Sequence, residues 1–195
     1  TDAQIKSQIA KTPQDARYLL LAGSFYNRLG QYDTAIPYLT DAVKYSPNKP
    51  TMYFELGSSY LGKRDFNKVF ELFQQGYNLE KDSSESQIIY AVGALYAGKA
   101  DILKMMFEKI GQDRILNDNR ILQAYVNLQD YNSAIAILSE RHKRSPNDYN
   151  LELDLASVYA TAGNKTKASE LLRDVLAKNP SLKAQLDPYI IQLSK

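Results

Sequence analysis

The chain has 195 residues, with 24 basic against 22 acidic side chains, one histidine and no cysteine. So even a balance does not fit a dedicated nucleic-acid binder, which carries a concentrated basic face. The lack of cysteine excludes disulfides and thiolate metal sites and leaves either redox compartment open. No apolar run approaches the roughly 20 residues of a membrane-spanning helix, and no stretch reads as a signal peptide. Because the chain begins at Thr1, a processed protein or an excised fragment is expected.

An interval of 34 residues recurs along the chain. It separates Tyr26 from Tyr60, Gly23 from Gly57 and Ala35 from Val69. It also separates Tyr125 from Tyr159, Ala134 from Ala168 and Pro146 from Pro180. A period of this length, carried by helix-compatible residues, marks a stack of helical hairpins.

In chain order, residues 1–15 place Ile5 and Ile9 on one helical face before Pro13. They read as a second helix without its first. Unit 16–49 has Leu19, Ala22, Gly23 and Tyr26 at helical spacing on its first helix. Gly23 admits a close partner helix. Gly30 ends this helix, with Gln31 and Tyr32 in the turn. Ala35, Leu39 and Ala42 share one face of the second helix, which stops at Ser46-Pro47-Asn48. Unit 50–83 repeats the pattern with Tyr53, Leu56, Gly57, Tyr60, Phe66, Val69, Phe73 and Gly76. Unit 84–114 is three residues short, and the turn Ala97-Gly98-Lys99-Ala100 is the expected site of the loss. Units 115–148 and 149–182 resume the pattern. In 183–195, with Leu182 just before it, Leu186, Ile190 and Leu193 form the stripe of a capping helix that Pro188 kinks or divides.

Chemistry is sparsely represented. His142 lies in the basic run Arg141 to Arg144 at a helix C-terminus, where a solvated cation suits the helix dipole. The sequence has no phosphate-binding glycine loop and no calcium-loop spacing. No catalytic residue, metal site or cofactor site is expected. Tyr26, Tyr60, Tyr96, Tyr125 and Tyr159 fall on the repeat's own aromatic position and read as packing residues between helices, and Tyr32, Phe66 and Tyr131, at the second-helix start, are likewise structural.

The run Leu19, Ala22-Gly23, Tyr26, Gly30, Ala35, Leu39, Ala42 and Pro47 resembles the tetratricopeptide repeat. The resemblance implies an all-α fold: one domain over 1–195, built as a right-handed α-solenoid of antiparallel helix hairpins. It also implies a non-catalytic scaffold for a protein or peptide, held where the first helices line a concave face. Carried onto this sequence, the face offers Arg17, Asn27, Arg28, Phe54, Tyr90, Asn119, Arg120, Gln123, Asn127 and Asp154. Phe54 and Tyr90 are the expected anchors. The two-carboxylate clamp of chaperone-tail receptors is not matched, because Leu20 and Ser24 stand beside Asn27 in the first unit. The segments Arg17 to Gly30 and Ile88 to Gly98 are also similar to the soluble C-terminal repeat regions of some bacterial O-antigen-ligase-like membrane proteins. That similarity implies an extracytoplasmic accessory domain of a membrane-anchored parent, recruiting a glycan or a partner protein.

Overall fold

A computed structural model describes residues 2–193. Among these the chain is all-α, with 13 α-helices and one 3-10 turn. The helices group into two compact units that divide after Ile110.

The first unit comprises α1 (Asp2–Lys11), α2 (Ala16–Arg28), α3 (Tyr32–Tyr45), α4 (Pro50–Gly62), α5 (Phe66–Leu79), α6 (Ser84–Tyr96) and α7 (Ala100–Ile110). Each helix packs against the next. Tyr26, Ala35, Leu39, Leu56 and Leu72 form one buried cluster, and Ala16, Leu19, Ala42 and Met52 form another, against which Ile9 of α1 packs. The glycine at the close approach behaves as the sequence predicts. A Cβ on Gly23 would lie 2.5 Å from Leu39 Cδ2, and one on Gly57 would lie 2.6 Å from Phe73 Cδ1.

The first helix of each hairpin closes the same way. Gly30, Arg64 and Gly98 adopt left-handed backbone angles, with φ of 70°, 61° and 64°. The next residue's N–H then reaches back to a carbonyl of the last turn: Gln31 to Tyr26, Asp65 to Tyr60 and Lys99 to Ala94. Two expectations are corrected here. Tyr32 is the first residue of α3 and not part of the turn. Ala94, not Tyr96, holds the register of Tyr26 and Tyr60. Tyr96 lies two residues further on and stacks on Phe66 at 5.2 Å.

The three missing residues of the third hairpin are also not in its turn. The α7 helix begins 16 residues after α6 begins, as α3 does after α2 and α5 after α4. It is the far end that is short: α7 has 11 residues where α3 and α5 have 14 each. Gly111, at φ 86°, then turns the chain.

The second unit comprises α8 (Gln112–Asn117), α9 (Asn119–Asn127), α10 (Tyr131–Arg144), α11 (Tyr149–Thr161), α12 (Lys165–Lys178), the 3-10 turn Pro180–Leu182 and α13 (Lys183–Leu193). Its first hairpin lacks a continuous first helix. Asp118 is extended, with φ −86° and ψ 118°, and caps α9 by accepting the Arg120 N–H. Gln129 takes the left-handed turn position at φ 62°, and Gly163 does so at 84°. Ala134, Leu138, Leu155 and Val158 form one core cluster. Ala156, Leu172, Val175, Leu186 and Ile190 form the other, so α13 covers the last hairpin. Pro188 lies inside α13, which continues through it. Residues 194–195, the end of the predicted cap, lie outside the described part.

Candidate functional site

In the first unit the groove positions of α2 and α4 are bound to one another. Ser24 donates to the Glu55 carboxylate at 2.9 Å, and the Asn27 amide donates to the Glu55 carbonyl at 3.1 Å. The Ser59 hydroxyl, fully buried, donates to Asn27 Oδ1 at 2.7 Å. Asn27 thus ties two first helices together and has its acceptor occupied within the fold.

Arg17 remains exposed. It forms a two-pronged pair with Asp15, through Nε to Oδ1 at 3.0 Å and Nη2 to Oδ2 at 2.6 Å. These hydrogen bonds hold the Asp15 carboxyl below its ordinary value. Arg17, Leu20 and Thr51 meet at an open cleft of about 630 Å³ that Gln14 and Met52 also line. Arg28 is exposed at the end of α2.

The two predicted aromatic anchors fare differently from the arginines. Phe54 is half-buried, edge-on to Phe73 at 6.1 Å, and fills the space left by Gly76. Tyr90 is 2% exposed. Its ring stacks on Phe70 at 5.4 Å and on Tyr77 at 4.8 Å, and its hydroxyl accepts from Gln74 at 2.9 Å. Burial pushes its phenol above the ordinary value. Tyr90 is therefore a core residue and cannot anchor a ligand on the surface. The reason lies in α6, which is buried on most of its circumference, Gln87, Ala91 and Ala94 included.

In the second unit Asn119, Arg120, Gln123 and Asn127 are all exposed on α9, and Asp154 is exposed on α11. Gln123 donates to Asn127 at 2.9 Å. Arg120 grips Asp118 through Nε at 3.1 Å and Nη2 at 2.7 Å. Burial works to raise the Asp118 carboxyl, but the Arg120 side-chain and main-chain hydrogen bonds outweigh it and hold the group below its ordinary value. Burial raises the Asp154 carboxyl, and the nearby Arg141 charge opposes this only in part.

The basic run is only in part the solvated cluster that its sequence implies, since Lys143 and Arg144 are exposed but Arg141 and His142 are not. Arg141 is half-buried, donates to the Leu116 carbonyl and reaches Asn119 Oδ1 at 2.8 Å. Arg144 pairs with Asp113 at 2.7 Å and Glu140 at 3.2 Å. His142 is half-buried too, with Nε2 3.6 Å from Glu152. Glu152 is 3% exposed and also accepts Lys178 Nζ at 2.6 Å. It holds the position of Leu19 in the first hairpin, so a carboxylate has entered a core site, where Lys178 of α12 pairs with it and His142 of α10 lies beside it. Only its substitution for an apolar residue in the repeat frame could have signalled this.

Among the described residues no three histidine, aspartate or glutamate side chains converge as a metal site. No helix among them is long and apolar enough to cross a membrane. What the exposed groups offer is directional hydrogen bonding on short helices.

The helical hairpins, their common turn and their 34-residue interval define an all-α repeat protein of the kind that serves as a scaffold for protein–protein interaction. Family models described as tetratricopeptide repeat match residues 16–49 and 126–186. The stretches so matched are tetratricopeptide repeats. It is 23% identical over 184 residues to the BBSome complex member BBS4 of Bos taurus, a match covering 92% of this chain and 35% of that protein. The chain thus spans about a third of the length of that curated relative. Among solved structures it is similar to a tetratricopeptide repeat protein from Parabacteroides merdae, with a TM-score of 0.67, 16% identity and coverage of 90% and 71% of the two chains. It is also similar to YrrB, described as a TPR protein with an unusual peptide-binding site, with a TM-score of 0.54, 13% identity and coverage of 92% and 94%. At these identities the structures show the fold alone.

Proposed function

We propose that the chain holds a protein or peptide partner against the groove positions of its first helices, each unit using its own, and that it does so without catalysis. The observation that carries this reading is the row of exposed hydrogen-bonding side chains on α9: Asn119, Arg120, Gln123 and Asn127. Such groups on a nine-residue helix contribute little to its packing, yet they present amide and guanidinium donors in fixed order. The Arg17 cleft is the corresponding surface of the first unit.

The test begins with a partner isolated on the full-length parent protein. Gln123→Ala combined with Asn127→Ala removes two exposed side-chain amides of α9. If each contributes the usual ~0.5–1.5 kcal/mol, affinity drops about 5- to 150-fold, with the far-ultraviolet circular dichroism unchanged. Unaltered affinity would rule out this groove assignment.

The similarity of Arg17 to Gly30 and Ile88 to Gly98 to ligase-attached repeat regions supports a narrower reading. In it the chain is an extracytoplasmic accessory domain that recruits a glycan or partner for a cell-surface polysaccharide enzyme. The parent gene tests it: a series of membrane-spanning segments ahead of this region is expected, and a parent without them would refute it.

A further inference from the structure

We propose that a groove between α11 and α13 is a specific docking site for an extended, uncharged peptide segment carrying bulky aliphatic or aromatic side chains. This deepens the scaffold reading and rests on it, since Leu153 and Ser157 of α11 stand at groove positions of the repeat. The groove measures about 490 Å³, within the ~300–1,000 Å³ range of sites that enclose a ligand. Leu153, Ala156, Leu172, Leu186 and Leu193 supply its apolar lining, and Ser157, Gln185, Tyr189 and Gln192 stand with them.

Three observations select the occupant. First, among the described residues no charged side chain lines the groove. A charged ligand group would lose water there and gain no partner, which disfavours phosphates, nucleic acids and acidic or basic peptides. Second, Gln185 and Gln192 are exposed and make no hydrogen bond within the described protein. Each carboxamide offers one acceptor and paired donors, the complement of a peptide group. Third, the two glutamines lie seven residues apart on one helix, a rise of about 10.5 Å. Three residues of extended chain cover about 10 Å, so peptide groups three residues apart meet both amides. A helix has already paired its own main-chain groups and would leave the glutamines unmatched. The extended segment is therefore favoured over a helix of another protein or of a second copy. Tyr189, 58% exposed and lying between the two glutamines on the same helix, adds an aromatic surface for the bulky side chain.

The test uses an acetylated and amidated hexapeptide of alternating leucine and serine, with proline at one end to prevent helix formation. It is titrated calorimetrically into the whole chain, and backbone amide shifts are mapped by NMR. Saturable binding is expected, with shifts confined to residues 153–161 and 185–193 and to the neighbourhood of Leu172. Ser157→Arg should weaken it about tenfold or more, and Gln185→Ala with Gln192→Ala by several-fold. All three positions are exposed, so folding is unaffected. Replacing the peptide serines by aspartates should also cost about tenfold or more. Absence of saturable binding, or equal affinity for the charged peptide, would overturn the proposal. Preferential uptake of a helical peptide would assign the groove to a helix. Self-association abolished by Ser157→Arg would assign it to a second copy. Either result would also overturn the proposal. Shifts confined to α9 would overturn it too, while leaving the broader scaffold reading intact.

Discussion

Gly57→Ala sets two physical effects against each other, and its outcome reports directly on hairpin register. In an exposed helix the change would stabilise by about 0.5–1 kcal/mol, because alanine loses less backbone freedom on folding. Here the new Cβ would lie 2.6 Å from Phe73 Cδ1, roughly an ångström inside ordinary contact. The ring has little room to retreat. Phe73 is 4% exposed, is held edge-on by Phe54, and stands close to Gly93, where a Cβ would lie 2.9 Å from its Cδ2. Overpacking of this kind typically costs ~1–3 kcal/mol, so the net expectation is a loss of about 1–2 kcal/mol. Gly57→Leu should lose more. Urea denaturation followed by circular dichroism should show a lower midpoint with an unchanged slope. A midpoint raised by the helix-propensity gain alone would show that α4 and α5 do not meet at this glycine.

Gln129→Gly should stabilise by about 1 kcal/mol, read from the same denaturation midpoint, because a side chain in the left-handed region costs ~1–2 kcal/mol. Arg64→Gly should gain less, since its guanidinium sits over the Phe66 ring at 5.8 Å and that contact is lost. Lys178→Ala should cost about 1–2 kcal/mol in thermal or urea melts by leaving the Glu152 carboxylate less well compensated, discounted because Lys178 is itself largely exposed. Glu152→Leu on that background should restore most of the loss. Asp118→Ala should cost about 1 kcal/mol through its cap on α9. The native Asp118 carboxyl lies below its unfolded value, so its contribution is complete above roughly pH 4 and lost as the pH falls further. The stability difference between Asp118→Ala and the parent should therefore shrink in acid.

The hairpins were legible because each is local. Gly23, Leu39 and Ala42 lie within one hairpin, and their spacing alone states which faces meet. The left-handed turn was legible only where glycine marks it. At Arg64 and Gln129 the repeat imposes the same backbone on residues that do not advertise it. The lost residues of the third hairpin were misplaced because the composition of Ala97 to Ala100 resembles a contracted turn, whereas the constant start-to-start interval conserves the turn and shortens α7. Tyr90 was misread because periodicity places a residue on a face without stating what covers that face. Asn27 shows the same limit at the site: its position is a groove position, but Glu55 and Ser59 of the next hairpin use it first. Nor does periodicity pair charges on separate helices, so the Glu152, Lys178 and His142 cluster was invisible. The exposed row on α9 and the exposed Arg17 stand at positions that the repeat frame names.

Hydrogen exchange of the chain with and without a captured partner tests the central claim most directly. The account predicts added protection on the first helices, at α9 and α11 or at α2 and α4. Protection confined to the second helices α3, α5, α10 and α12 would contradict it.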